Sequence, residues 1–152
     1  MTKEELLTRY AAGERDFSGA ELAEVDLSEA DLRGANLSSA DLMWANLSRA
    51  NLNGADLNGA GLSRTDLSGA DLSSADLSRA DLSRANMTYA LLTSVRLTGA
   101  NLTAANLSRA DVSDANLSGA NLTGTNLTFA DLTGADLMGV DLRQANLSRA
   151  IR

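Results

Sequence analysis

Cysteine, histidine and proline are absent from the 152 residues, and aromatic side chains make up only 3% of them. Without cysteine there is no disulfide, no thiolate nucleophile and no zinc–thiolate centre. Without histidine the commonest general base and metal ligand near neutral pH is missing, and a Ser-His-Asp arrangement is impossible. Lys3 is the only lysine, at one end of a serine-rich chain, so a Ser–Lys pair would leave most serines without a base. These absences point away from acid–base and covalent catalysis, and the expectation is a protein that is not an enzyme and carries no cofactor. The lack of proline suits a backbone in which nearly every N–H is needed for pairing. The formal net charge of −7 argues against phosphate binding, hence against direct nucleic-acid contact. No stretch approaches the ~18 apolar residues of a membrane span. The acidic opening Met1–Leu7 has too short an apolar run for a signal peptide, so the expected location is cytoplasmic, away from membranes.

What remains is Leu and Ala in strict rhythm. From Phe17 a large apolar residue returns every five positions as far as Leu147, and only Phe17, Met87 and Val112 are not Leu. Two residues earlier stands a small residue, usually Ala; Val25, Thr65, Val95, Thr125 and Val140 are modest exceptions and Arg15 a gross one. Asp or Asn lies between, Ser or Thr follows, and the unit reads Ala-(Asp/Asn)-Leu-(Ser/Thr)-X without insertion or deletion. On an α-helix such a period smears the leucines around the cylinder. On a flat strand it sends alternate leucines to opposite faces. A chain that turns a corner every five residues can instead point each Leu inward. Four sides then close a coil of twenty residues, and coils stack with a rise of ~4.8 Å. This predicts an all-β solenoid of about 6–7 coils with parallel pairing between coils. Leu32, Leu52, Leu72 and Leu92 form one core ladder, and Leu42, Leu62, Leu82 and Leu102 another. The narrow shaft explains the scarcity of large rings, and each buried Leu is worth roughly 1.5–3 kcal/mol. The fifth residue, often Gly, needs conformational freedom at the corner.

Ala35-Asn36-Leu37-Ser38-Ser39 and Ala70-Asp71-Leu72-Ser73-Ser74 resemble the A(D/N)LXX motif of the pentapeptide-repeat family, and the resemblance runs from Asp16 to about Ala150. It implies a right-handed quadrilateral parallel β-helix, in agreement with the geometry. The segment from Leu6 to Phe17 resembles the N-terminal caps of cyanobacterial members.

Two domain-level expectations concern the ends. Thr2 and Glu5 make a capping-box pattern, Leu6, Leu7 and Tyr10 an apolar stripe, and Gly13 a helix stop. Residues 1–13 are therefore a short α-helix capping the first coil, and residues 14–152 the repeat domain. No helix covers the other end, where the resemblance implies a possible homodimer through the C-terminal coil.

Candidate sites are few. The Asp/Asn ladders could hold Ca²⁺, but no Asp-x-Asp-x-Asp-Gly loop occurs, and Asx residues that bond corners and backbone account for them; no metal is expected. Residues twenty apart stack, so one outward column reads Arg49, Gly69, Tyr89, Arg109, Phe129, Arg149, alternating cations and rings at cation–π spacing. The preceding side carries Trp44, Arg64 and Arg84, while Leu91 and Arg96 replace the usual Asp or Asn. Scattered surface apolar residues are ordinary. Concentrated ones suit a protein partner, and Tyr89, Leu91, Arg109 and Phe129 are the centre of this candidate patch, with Arg96, Trp44, Arg64 and Arg84 around it.

The expected function is a protein-binding or scaffold rod. One alternative is nucleic-acid mimicry, since the resemblance includes members that bind DNA gyrase and protect it from quinolones. Here Glu14, Asp16, Glu21, Glu24, Asp26, Glu29 and Asp31, opposed only by Arg15, make one end electronegative. Yet a rod of about 31 Å would have to stand in for DNA carrying about 18 charges, against a net −7. A second alternative is a purely structural rod.

Overall fold

The computed structural model describes residues Met1–Arg152. Helix α1 spans Lys3–Ala11; everything after it is built from one five-residue unit. Four of the unit's five N–H groups bond to backbone, as the first coil shows. Asp41 N–H donates to Ala20 O one coil earlier (2.9 Å), and Leu22 N–H to Asp41 O one coil later (2.8 Å). Gly19 N–H donates to Ser38 O (2.8 Å), and Ala20 N–H closes the corner onto Phe17 O (3.1 Å). The fifth N–H, two residues after the Asx, is taken by that Asx side chain. Every Asp or Asn at this position accepts such a bond. Buried or half-buried backbone donors must be paired, so this accounting explains both the repeated Asx and the missing proline.

Each corner has a 1→4 hydrogen bond, and at every corner but that of Gln144 the second central residue has positive φ while the first does not, the pattern of a type II turn. Glycine meets that demand at Gly19 (φ 65°), but Arg, Tyr, Phe and Trp adopt the same conformation elsewhere, as at Tyr89 (φ 59°). Pairing between coils consists of parallel single-residue bridges twenty residues apart, such as Asp56↔Asp76 and Asp76↔Arg96. The four sides are thus too short for extended strands, because a corner follows each bridge within two residues. We number the sides by their first inward residue: side 1 from Phe17, side 2 from Leu22, side 3 from Leu27 and side 4 from Leu32.

The inward column is sealed from the surface. Leu72 and Leu102 are wholly buried, as are Met87 and Val112, and the small residues between them are equally enclosed. Thr65 and Thr125 occupy Ala positions at full burial, and their hydroxyls donate to Leu42 O and Leu102 O at 2.7 Å. No buried side-chain polar atom lacks a partner.

Thr2 and Glu5 complete a reciprocal capping box. Leu6 is buried against the first coil, with Leu7 and Tyr10 packed beside it, and Tyr10 donates its hydroxyl to Arg33 O (2.8 Å). Arg15 does not enter the core: its guanidinium lies 3.7 Å from the Tyr10 ring centroid and bonds the Tyr10 carbonyl. At the far end Leu137, Leu142 and Leu147 are only partly buried. There Gln144 departs from the positive φ of the other corners, and Gly124 N–H bonds Gln144 O (2.8 Å) in place of the usual neighbour. No helix is long and apolar enough to cross a membrane.

Candidate interaction surface

The corner between sides 3 and 4 carries the largest exposed side chains in vertical register. Tyr89, Arg109, Phe129 and Arg149 each follow a Ser or Thr on side 3 and stand on a left-handed backbone (φ 58° to 62°). Stacked coils bring their side chains into a ladder. The Arg109 guanidinium lies 5.7 Å from the Tyr89 ring centroid and 4.7 Å from that of Phe129, and Arg149 lies 5.3 Å from Phe129. These distances fall within the ~6 Å reach of cation–π attraction. Tyr89 is 61% exposed and Phe129 45%, so the rings face water as well as guanidinium.

Leu91 stands just past this corner, 46% exposed, on the far side of buried Ala90. It occupies an Asx position, and the bond that an Asx would accept from Thr93 N–H has no counterpart there. Thr93 turns its hydroxyl to Asp111 instead (3.2 Å). Asp111 also accepts from the Ser113 hydroxyl and N–H, and these bonds hold its carboxyl below the usual carboxylate range.

The remaining candidate residues lie elsewhere. Trp44, Arg64 and Arg84 occupy the corner between sides 2 and 3, where Arg64 sits 4.6 Å over the Trp44 ring. Arg96 opens side 1, beyond the whole width of side 4, and pairs with Asp76 (3.2 Å). The surface that holds Tyr89, Leu91, Arg109 and Phe129 therefore has Trp44, Arg64 and Arg84 across side 3, and does not include Arg96. Between the two decorated corners, side 3 from Ala45 onward bears Arg49, Arg109 and Arg149 against a single carboxylate, Asp66. Apart from Gly69, Tyr89 and Phe129 in the same column, its surface is otherwise Asn, Ser and Thr, and the excess negative charge of the chain lies on the other sides.

The acidic end is less open than its composition suggests. Arg15 is engaged with Tyr10, but Arg9 pairs with Glu14, Arg33 with Asp31, and Arg49 approaches Glu29 (3.6 Å). Arg15 is thus not the only group opposing these carboxylates; it acts on Asp31, and three other arginines pair with or approach Glu14, Asp31 and Glu29. No three acidic residues converge in a way that could hold a metal ion. At the level of Gly69 the corner has a notch of about 270 Å³, lined by Arg49, Ser68, Thr88 and Tyr89. The break in the column was its only signal.

Comparison with known proteins points to one family. A family model described as pentapeptide repeats matches eight copies, over residues 16–49, 45–84, 80–119 and 115–151. A pentapeptide repeat protein of the Arabidopsis thaliana thylakoid lumen is 40% identical over 68% of this chain and 69% of its own, with a TM-score of 0.43. Rfr23 from the cyanobacterium Cyanothece is 29% identical over 94% of this chain and 97% of its own, with a TM-score of 0.50. HetL from the cyanobacterium Nostoc, a protein involved in heterocyst differentiation regulation, is 31% identical over 99% of this chain and 96% of its own, with a TM-score of 0.34. No curated protein matches the chain by sequence.

Proposed function

Because this chain belongs to the pentapeptide-repeat family, we propose that it is a non-enzymatic, right-handed rod whose corner between sides 3 and 4 binds a protein partner. The observation that supports this most is the ladder of Tyr89, Arg109 and Phe129 with Leu91 beside it. Aromatic, Arg and aliphatic side chains clustered at the centre of a patch and rimmed by polar groups are what protein interfaces use. The other exposed large apolar side chains, Met43 and Trp44 at the preceding corner and Met138 and Ile151 toward the C-terminal end, form no comparable ladder of rings and arginines.

The test is affinity capture from a bacterial lysate with the wild-type chain and with a Tyr89→Ser, Leu91→Asp, Phe129→Ser triple variant. A specific partner should be retained by the first and lost by the second, at matched folding. An unchanged set of captured proteins would remove this reading.

DNA mimicry directed at gyrase is the second reading. The exposed first-coil carboxylates Glu21, Glu24 and Asp26 favour it. The arginines of side 3 weigh against it, since a mimic of duplex DNA needs negative charge along its length. A gyrase supercoiling assay that shows no inhibition at micromolar protein would dismiss it. A second copy seated on the partly buried Leu137, Leu142 and Leu147 is a further partner, to be sought by light scattering.

A further inference from the structure

The outward column of side 3 has one level without a side chain. Arg49 lies below that level, Tyr89 above it, and Gly69 between them, so the ladder is broken just where its exposed rings begin. The resulting notch of about 270 Å³ is lined by Arg49, Ser68, Gly69, Thr88 and Tyr89. An engineered cavity of about 150 Å³ holds benzene, so this notch admits a ring up to the size of indole.

Its walls specify what fits. A Cβ built on Gly69 would lie 3.6 Å from Arg49 Cγ, so the Arg49 stem forms the floor. The Arg49 head leans away toward Glu29 (3.6 Å). Tyr89 forms the roof; Arg109 stands on its other side, which leaves the notch side of the ring without a partner. A group at the missing level would sit about 4.8 Å from each neighbour, inside the ~4.5–7 Å range of aromatic pairs. A flat ring satisfies both walls, by stacking under Tyr89 and by lying on the aliphatic stem of Arg49. A guanidinium would satisfy Tyr89 but meet a like charge at Arg49. A carboxylate would meet the negative face of the ring.

We propose that this notch receives one planar aromatic side chain of the protein partner, held between Arg49 and Tyr89. The proposal rests on the partner reading for its biological setting, but not for its test. The backbone tolerates a side chain at this level: Gly69 has φ 64°, against 58° at Arg49 and 62° at Arg109. Gly69→Arg should therefore fold and fill the notch.

The experiment follows amide shifts of the isotopically labelled full chain during titration with N-acetyltryptophanamide, N-acetylleucinamide and N-acetylargininamide. The tryptophan probe should move Ser68, Gly69, Thr88 and Tyr89 and bind about fivefold tighter than the leucine probe. Gly69→Arg should abolish that binding while lowering the melting temperature by only a few degrees, and Tyr89→Ala should weaken it. Shifts centred on Trp44, equal or tighter binding of the arginine probe, or an unaffected Gly69→Arg variant would each overturn the proposal. If the triple variant loses a partner that Gly69→Arg retains, the corner still binds and the notch does not. If the probe occupies the notch but the triple variant captures what wild type captures, the notch stands and the partner reading falls.

Discussion

Leu72→Ala should be among the most damaging single changes in the chain, because the shaft cannot close around the space it leaves. Leu72 is wholly buried on side 4. Its coil is tied on both sides: Leu72 N–H to Leu91 O (2.8 Å) and Asp71 N–H to Ala50 O (2.9 Å), with Leu52 N–H on Asp71 O (2.7 Å) and Leu91 N–H on Ala70 O (2.9 Å). Removing three carbons forfeits about 2.4 kcal/mol of transfer free energy at ~0.8 kcal/mol each. A cavity that does not collapse adds about 24 cal/mol for every Å³ left open. The bonds above and below hold the coil spacing, so little relaxation is available and the cost should reach about 4 kcal/mol. Leu147, partly buried in the last coil, has less to lose, and Leu147→Ala should cost about 1 kcal/mol. Urea denaturation of both variants measures the difference, with the slope m checked for equality. Solenoids need not unfold in one step, so hydrogen exchange at Leu72 and Leu92 should accompany it and show faster opening of the middle coils. If the two variants fall within about 1 kcal/mol of each other, the rigid-shaft reasoning is wrong.

Three further outcomes follow from the same geometry. A double-mutant cycle on Arg109 and Phe129, at 4.7 Å, should give a coupling of about 0.5–1 kcal/mol by denaturant titration, and zero coupling would mean the ladder is not energetically formed. Ser94 sits at φ 57°, so Ser94→Gly should stabilise by about 0.5–1 kcal/mol, whereas Gly134 has φ 72° and an added Cβ there would displace the Asp114 carboxylate, so Gly134→Ala should lower the melting temperature. On acidification, bonds from Ser113 hold Asp111 low, and the hydrogen bonds from Arg143 bring Asp141 from its ordinary 3.8 to about 2; a depressed carboxylate stabilises fully above its unfolded value and loses that contribution as pH falls through its folded value, so the melting temperature should be level above about pH 5 and fall between about pH 4 and 2, and a level profile down to pH 2 would refute the Asx bonds as ionised acceptors.

The coil was legible because its inward residues repeat without interruption, and a period of five has few other physical solutions. The column of Tyr89, Arg109 and Phe129 was legible for the same reason, since twenty residues make one level. Other features were not. Glycine marked the corners, but nothing in the pattern shows that Tyr89 or Trp44 would take a left-handed backbone at ~1–2 kcal/mol per residue; the hydrogen bonds of the coils above and below impose it. Arg15 looked like a defect at an inward position, and becomes a contact to Tyr10 only once α1 is laid over the first coil. The notch at Gly69 depends on where the Arg49 stem lies, which a list of residue types does not contain. The break at Gln144 likewise has no residue signature.

The energies at the decorated corner decide how its variants should be interpreted. Each ring on a left-handed backbone costs ~1–2 kcal/mol, and each exposed cation–π contact returns about 0.5–1 kcal/mol, with Phe129 contacted by two arginines and Tyr89 by one. Leu91 forgoes an Asx hydrogen bond of about 1 kcal/mol and, being 46% exposed, recovers a similar amount through partial burial. Serine at 89 or 129 would bear the same backbone cost, so replacing the two rings forfeits only the three cation–π contacts, about 1.5–3 kcal/mol in all, while Leu91 is close to neutral. The fold therefore neither requires these side chains nor excludes them, in contrast to Leu72, where the fold accepts almost nothing else. A triple change to Ser, Asp and Ser at Tyr89, Leu91 and Phe129 should lower the melting temperature by about 3–12 degrees and leave the rod folded at the temperature of capture. Any loss of a partner at that corner then reports on the surface and not on the stability of the rod beneath it.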